Sequence, residues 1–248
     1  MKMDLKGKYG FRETLKEEAV KRDIILSDKM LENFEKYKKM LLEWNEKINL
    51  TAITDEYEII MKHFIDCLEL VKYIDDNKKI IDVGTGAGFP GLVIAIYFEG
   101  KISITLLDAL SKRINFLEDV VSKLKLKNVT VIHGRAEEYA KMQEYREKYD
   151  IVVSRAVANL PVLLEYEVPY VKVKGNCLIM KGENVDREIA ISKKALNVLN
   201  CNIENKKIYK YNVNEKEYTR AILDIKKNKA TDNKFPRNNG QIKKNPLQ

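Results

Sequence analysis

The sequence predicts an α/β fold: a doubly wound, mainly parallel sheet of seven strands behind a helical N-terminal extension. Three observations carry this. Lys79-Ile80-Ile81-Asp82-Val83 is a short apolar run of the kind covered on both faces, and it leads straight into a glycine loop and an apolar helix. From residue 78 onward, short apolar runs alternate with helical periodicity, the signature of β–α–β units. The last two runs, 203–211 and 219–225, have too little chain between them for a full helix, so they should close the sheet as an antiparallel hairpin.

Taken in order, residues 11–22 carry a weak helical pattern. Ser27-Asp28 suits a helix cap, and Met30, Phe34, Tyr37, Leu41 and Trp44 follow at spacings of three or four, one stripe of an amphipathic helix. That stripe reads as packing, with Trp44 in the core or at an interface. Asp55 to Glu58 opens another helix, which buries Ile59, Ile60, Phe64, Leu68 and Val71. His63 and Asp66 sit three apart on it, as a local hydrogen-bonded pair or as ligand contacts. Asp75-Asp76-Asn77 marks the boundary of the extension, giving 1–77, a sheet domain at 78–225 and a tail at 226–248.

Within the sheet domain, Pro90 suits the first turn of a helix through Phe98. Ile102 to Leu107 is a strand ending at Asp108, and Ser111 can cap the next helix. Val129 to Ile132 and Ile151 to Val153 are strands ending near Arg135 and Arg155. A helix with Leu160, Leu163 and Leu164 precedes the strand Cys177 to Met180, and 183–199 reads as one helix. Tyr211 to Asn214 should turn the final hairpin.

At 45% hydrophobic residues the 248-residue chain can bury a real core. No apolar run approaches the roughly 20 residues of a membrane span. The opening Met1 to Lys6 has no apolar stretch of a secretory leader. Cys67, Cys177 and Cys201 share no close spacing, so neither a metal site nor a disulfide frame is expected, and the cytoplasm is the natural compartment. The net charge of +8 is unevenly placed: residues 226–248 hold seven basic side chains against one acidic. A cationic tail on a nucleotide-type core points to a polyanion, most simply nucleic acid.

The glycine loop admits two nucleotide readings. Gly86, Gly88 and Gly91 fit the dinucleotide pattern G-x-G-x-x-G. Gly84, Gly86 and Gly88 behind Asp82 fit the S-adenosylmethionine (SAM) loop of Rossmann-type methyltransferases. The carboxylate favours SAM: it repels a pyrophosphate, whereas a sulfonium and an ammonium welcome it. Other strand ends complete the cradle. Asp108 can accept from ribose hydroxyls, Ala136 and Glu137 lie where an adenine would, and Phe89 offers an apolar wall. At the end of the fourth strand stands Ser154-Arg155-Ala156-Val157-Ala158-Asn159-Leu160-Pro161, with neither the Asn/Asp-Pro-Pro-aromatic motif of amine methylation nor the cysteine of pyrimidine carbon methylation. An acceptor already nucleophilic at neutral pH remains, and guanine N7 fits. Arg155 can then meet guanine O6 or the SAM carboxylate.

These residues resemble a specific family, the bacterial 16S rRNA guanine-N7 methyltransferases also called glucose-inhibited division protein B. The segments that carry the resemblance are Trp44-Asn45-Glu46-Lys47-Ile48-Asn49-Leu50-Thr51, His63-Phe64-Ile65-Asp66, Asp82 through Gly91, Gly134-Arg135-Ala136-Glu137-Glu138, Ser154-Arg155-Ala156, Lys181-Gly182, Lys234-Phe235-Pro236-Arg237 and Lys243-Lys244-Asn245-Pro246-Leu247. Cys67 stands where the family more often has serine. The resemblance implies a class I SAM-dependent methyltransferase, SAM contacts at Gly84, Phe89, Ala136, Glu137 and Arg155, and methylation of one guanine in the decoding-region loop of 16S rRNA, in the small ribosomal subunit or an assembly intermediate. It settles no catalytic acid, base or nucleophile. Arg135, Lys181, Arg220, Arg237, Lys243 and Lys244 become the expected rRNA contacts, Arg220 foremost. Phe235 and Pro236 can anchor the tail on the domain or on RNA, and the asparagine- and lysine-rich tail can be mobile until the subunit binds. A monomer is expected, with no metal and no membrane. The rival readings are an NAD-dependent oxidoreductase using the glycine loop, and a non-catalytic RNA-binding assembly factor.

Overall fold

The computed structural model describes residues 10–248. The opening Met1 to Lys6, considered above for a leader, lies outside them. Seven strands form one sheet in the order β3-β2-β1-β4-β5-β7-β6. They are β1 (Lys79–Val83), β2 (Ser103–Asp108), β3 (Val129–His133), β4 (Tyr149–Arg155), β5 (Val171–Lys181), β6 (Cys201–Val213) and β7 (Lys216–Lys227). The first five run parallel, and β7 pairs antiparallel with β5 and β6. Strand order reverses between β1 and β4, where open α/β sheets form their ligand crevice.

Alternation along the strands explains why both faces are buried. Ile80, Ile104, Leu106, Ile151, Val153 and Met180 join one apolar cluster, while Ile81, Val83, Leu107, Val152, Cys177 and Ile179 join another. On the first face lie α1 (Phe11–Val20), α2 (Asp28–Asn45), α5 (Gly91–Phe98) and α6 (Ser111–Lys123). Between α2 and β1, residues Glu56–Ile59 (α3), a π-helical turn Ile60–Ile65, Asp66–Leu68 (α4) and a 3-10 turn Glu69–Tyr73 follow without a break. The other face carries α7 (Ala136–Tyr139), α8 (Leu160–Glu167), α9 (Val185–Ile191) and α10 (Lys193–Val198). Ser27 caps α2 as expected, its Oγ accepting from the Met30 N–H at 3.1 Å. Trp44 ties the extension to the sheet, donating to Asp119 on α6 at 3.0 Å and packing edge-on to Phe116.

Four local expectations change. Ser111 starts α6, but Leu110 is its cap residue and no side chain caps it. Pro90 is the residue before α5 rather than within its first turn. The helix expected over 183–199 breaks at Ser192, whose Oγ donates to the Glu188 carbonyl at 2.6 Å and closes α9 before α10 begins. The hairpin turns two residues late, at Asn214 and Glu215, with φ of 50° and 64° as a two-residue type I′ turn demands.

The tail is packed rather than loose. Phe235, Ile242 and Leu247 are buried, and α11 (Asn239–Lys244) lies against α8. Arg237 holds the wholly buried carboxylate of Glu165 through two charge-assisted bonds of 2.8 and 2.7 Å. Lys227, also buried, donates to Glu147 and to the carbonyls of Val168 and Val171. Burial of three apolar side chains, with Arg237 pairing the buried Glu165, offsets the ordering entropy that composition alone suggested would win. No helix among the described residues is long and apolar enough to cross a membrane.

Candidate active site

The loop after β1 is braced from beneath. Asp82 is fully buried, and its Oδ2 accepts from Thr85 Oγ1 at 2.6 Å and from the Gly91 N–H at 2.7 Å. A carboxylate therefore already occupies the N-terminus of α5, where a dinucleotide would set its pyrophosphate. Gly91 is glycine because a Cβ there would come within 2.7 Å of that carboxylate oxygen and 2.3 Å of Leu106. Burial raises the Asp82 carboxyl to about 7, against the pull of Thr85 and Gly91. Asp82, expected to face the cofactor directly, instead acts through the loop it holds. Gly84, Gly86 and Gly88 all have positive φ. At Gly88 a side chain would strike Leu92 and Tyr37, but at Gly86 it would meet nothing nearer than 4.0 Å. That open space over Gly86 is where a ligand can approach the backbone.

Asp108 ends β2 beside this loop and accepts from the Gly86 N–H at 2.9 Å and the Leu110 N–H at 2.9 Å, with Arg113 at 3.3 Å. Glu137 opens α7, largely buried, and its carboxylate has no hydrogen-bond partner among the described residues. The Ala136 carbonyl takes a 2.6 Å bond from Tyr170. Backbone turns, open space at Gly86 and an unclaimed acceptor at Glu137 suit an adenosyl group.

The neighbouring cleft, about 540 Å³, lies past the ends of β4 and β5 under the N-terminal helices. Arg155 is its hub. Its Nη1 donates to the Lys62 carbonyl at 2.7 Å and to Asp66 at 3.1 Å, and its Nη2 to His63 Nδ1 at 3.0 Å. His63 and Asp66 thus meet through Arg155, not each other. The Lys62 carbonyl and His63 both come from the π turn, a feature common at functional sites. With Nδ1 accepting, the His63 proton sits on Nε2 and faces Thr51 Oγ1 at 2.9 Å. Burial, then the Arg155 charge, lowers the His63 pKa to about 3, so the ring stays neutral. Phe89 does not form an open wall: it is 6% exposed, with His63 stacked at 4.4 Å and the Arg155 guanidinium 4.9 Å from its centroid. Asp66 also accepts from Tyr209 at 2.9 Å and faces Arg220 at 3.8 Å.

The expected RNA contacts separate. Arg220 lines the cleft, partly exposed, beside Tyr211 and Tyr218. Lys181 lines it too, but buried, donating to the Ala158 carbonyl and Glu188, both at 2.7 Å, so it steadies the loop after β4 rather than reaching outward. Arg237 is consumed by Glu165. Arg135 is exposed beside the Ala136 end of the cradle, and exposed Lys243 and Lys244 lie on α11, whose Ile242 packs near Ala136 and Ala158. Sequence reading named Thr51 only within the Trp44–Thr51 segment, without a site role, and missed Tyr209 and Glu188. Thr51 and Tyr209 reach their partners across 12 and 143 residues, and no spacing rule exposes the second. Among the described residues no cluster of three or more His, Cys, Asp or Glu could hold a metal ion.

Fold and crevice together define a class I methyltransferase architecture. Solved structures agree on that fold: a SAM-dependent methyltransferase from Methanosarcina mazei aligns at TM-score 0.51 and 13% identity, over 64% of this chain and 97% of the other. A transferase from Pyrococcus horikoshii aligns at TM-score 0.52 and 15% identity, over 65% and 62%. The family model described as rRNA small subunit methyltransferase G matches residues 30–219. A ribosomal RNA small subunit methyltransferase G from Clostridium botulinum is 50% identical over 89% of this chain and 92% of its own. One from Acetivibrio thermocellus is 47% identical over 95% and 96%. The chain belongs to the rRNA small subunit methyltransferase G family.

Proposed function

We propose that this chain methylates N7 of one guanine in the decoding-region loop of 16S rRNA, in the small subunit or an assembly intermediate, with SAM as donor, as a cytoplasmic monomer. Residues 78–225 form the donor-binding and catalytic part, the described part of the 1–77 extension, from residue 10, roofs the cleft, and 226–248 add a cationic rim. The backbone at Gly84, Gly86 and Gly88 would hold the donor, with Asp108 and Glu137 as acceptors and Ala136 beside them. Bound there, SAM supplies an electrophilic methyl on sulfur.

One observation carries the acceptor: among the described residues the cleft offers no unengaged imidazole and no thiol nucleophile, and its two carboxylates, Asp66 and Glu188, are tied to Arg155 and to Lys181 with the Leu160 N–H. His63 is neutral with both ring nitrogens engaged, and Cys67, Cys177 and Cys201 are buried. Burial pushes the Cys67 thiol far above its usual range. Guanine N7 has an in-plane lone pair and needs no proton removed. Placement and charge complementarity then do the work, through the fixed Arg155 fork and the partly exposed Arg220.

Small subunits from cells lacking the enzyme, incubated with protein and methyl-labelled SAM, should take label into 16S rRNA. Tight NADH binding without SAM binding would instead favour an oxidoreductase. Subunit binding with no label would favour an assembly factor.

A further inference from the structure

We propose that Glu188 reads the Watson–Crick edge of the acceptor base, its Oε1 accepting from the N2 amino group and N1–H of guanine. The inference rests on the guanine-N7 reading above and adds the residue that selects the base.

Two carboxylates line a cleft that also presents Lys62, Arg155, Lys181 and Arg220. An acid in a polyanion site repels phosphate, so each needs its own reason. Asp66 has one: it is 2% exposed and saturated by Arg155, Tyr209 and Arg220. Glu188 is only half accounted for. Its Oε2 accepts from Lys181 Nζ and from the Leu160 N–H, each at 2.7 Å. Its Oε1 has no hydrogen-bond partner among the described residues, and the side chain keeps 21% exposure. One oxygen is pinned by an ammonium and a helix-start amide, which fixes the direction of the other.

An ionised carboxylate only accepts hydrogen bonds. Guanine presents two adjacent donors on its Watson–Crick edge, N1–H and N2–H. Adenine presents an acceptor at N1 and would set a lone pair against the carboxylate. An unstacked base in a cleft can be read on that edge, which leaves N7, on the Hoogsteen edge, clear of the reading contact. The free Oε1, aimed by the pinned Oε2, thus gives the cleft a guanine preference that its cations alone lack.

The test uses small subunits reconstituted around 16S rRNA carrying guanosine, inosine or 7-deazaguanosine at the methylated position. Inosine lacks only the N2 amino group. The wild-type protein should lose about 10- to 100-fold in kcat/KM on inosine, the worth of one bond to a charged acceptor. In Glu188→Gln the amide oxygen stays with Lys181 and Leu160, turning an NH2 toward the base. That variant should lose a similar factor on guanosine and treat guanosine and inosine alike. Equal wild-type rates on the two would overturn the proposal, and this arm stands whether or not the variant folds. A variant that slows both substrates equally and keeps the wild-type ratio would also overturn it, leaving Glu188 a brace for Lys181. Methylation of 7-deazaguanosine would instead sink the N7 assignment, while the guanosine-to-inosine ratio judges Glu188 separately.

Discussion

At the scale of single residues, the site is a set of buried charges that hold one another in place. Arg155 is fixed by a carbonyl, a carboxylate and a neutral imidazole, all from the segment that precedes the sheet. Arg155→Ala should cost about 3–5 kcal/mol in denaturant unfolding, because Asp66 loses its main counter-charge while still buried. Three buried groups give stability a pH signature. Burial raises Asp82 to about 7 and Glu167 to about 8, and lowers His63 to about 3. Between their unfolded and folded pKa values, the two carboxyls bind more protons folded than unfolded, so stability falls as pH rises through 7 and 8. His63 has the opposite sign: the unfolded chain binds its proton below about 6.5, so that contribution is lost as pH falls. The net expectation is a loss of roughly 1–3 kcal/mol from pH 6.5 to pH 8.5, and Glu167→Gln should flatten it. Urea titrations at both pH values check this; a flat wild-type profile would contradict it.

At the scale of elements, the glycine loop separates what folding needs from what binding needs. Gly88 sits at φ 91°, and a Cβ added there would stand 2.3 Å from Leu92, so Gly88→Ala should fail by losing stability. Gly86 has φ 62° but open space around it. Gly86→Ala should cost only about 1 kcal/mol in backbone strain yet abolish SAM binding. Calorimetric titration with S-adenosylhomocysteine beside thermal melting distinguishes the two; equal losses in both variants would contradict the assignment. Elements of this kind were legible in the sequence. Seven strands, the hairpin and the Ser27 cap follow from apolar periodicity and local hydrogen-bonding chemistry. The break at Ser192 was not, because a serine bonding back to its own helix leaves no gap in the hydrophobic pattern. The role of Asp82 was half legible: an acid before the loop favours SAM, but only the fold shows that it fills the helix N-terminus.

At the scale of the whole molecule, the N-terminal helices and the tail are joined to the sheet by buried side chains. Composition suggested a loose cationic tail because the buried partner of Arg237, Glu165, stands 72 residues away. Tyr209 and Asp66 were invisible as a pair for the same reason, at 143 residues. Arg237→Ala should destabilise by about 3–5 kcal/mol through the stranded Glu165 carboxylate. Lys243→Ala with Lys244→Ala should leave stability unchanged and lower the salt dependence of subunit binding, by a slope of roughly 0.7–0.9 for each phosphate no longer neutralised. Filter binding across salt concentrations reads this; an unchanged slope would remove α11 from the interface. The central claim is that a cleft whose described residues offer no free imidazole and no thiol serves an acceptor that needs no proton removed. Its most direct test is to digest 16S rRNA labelled by this protein on deficient small subunits and identify the methylated nucleoside. The account predicts 7-methylguanosine at one position. A methyl on an exocyclic amine, a ring carbon or a ribose would contradict it.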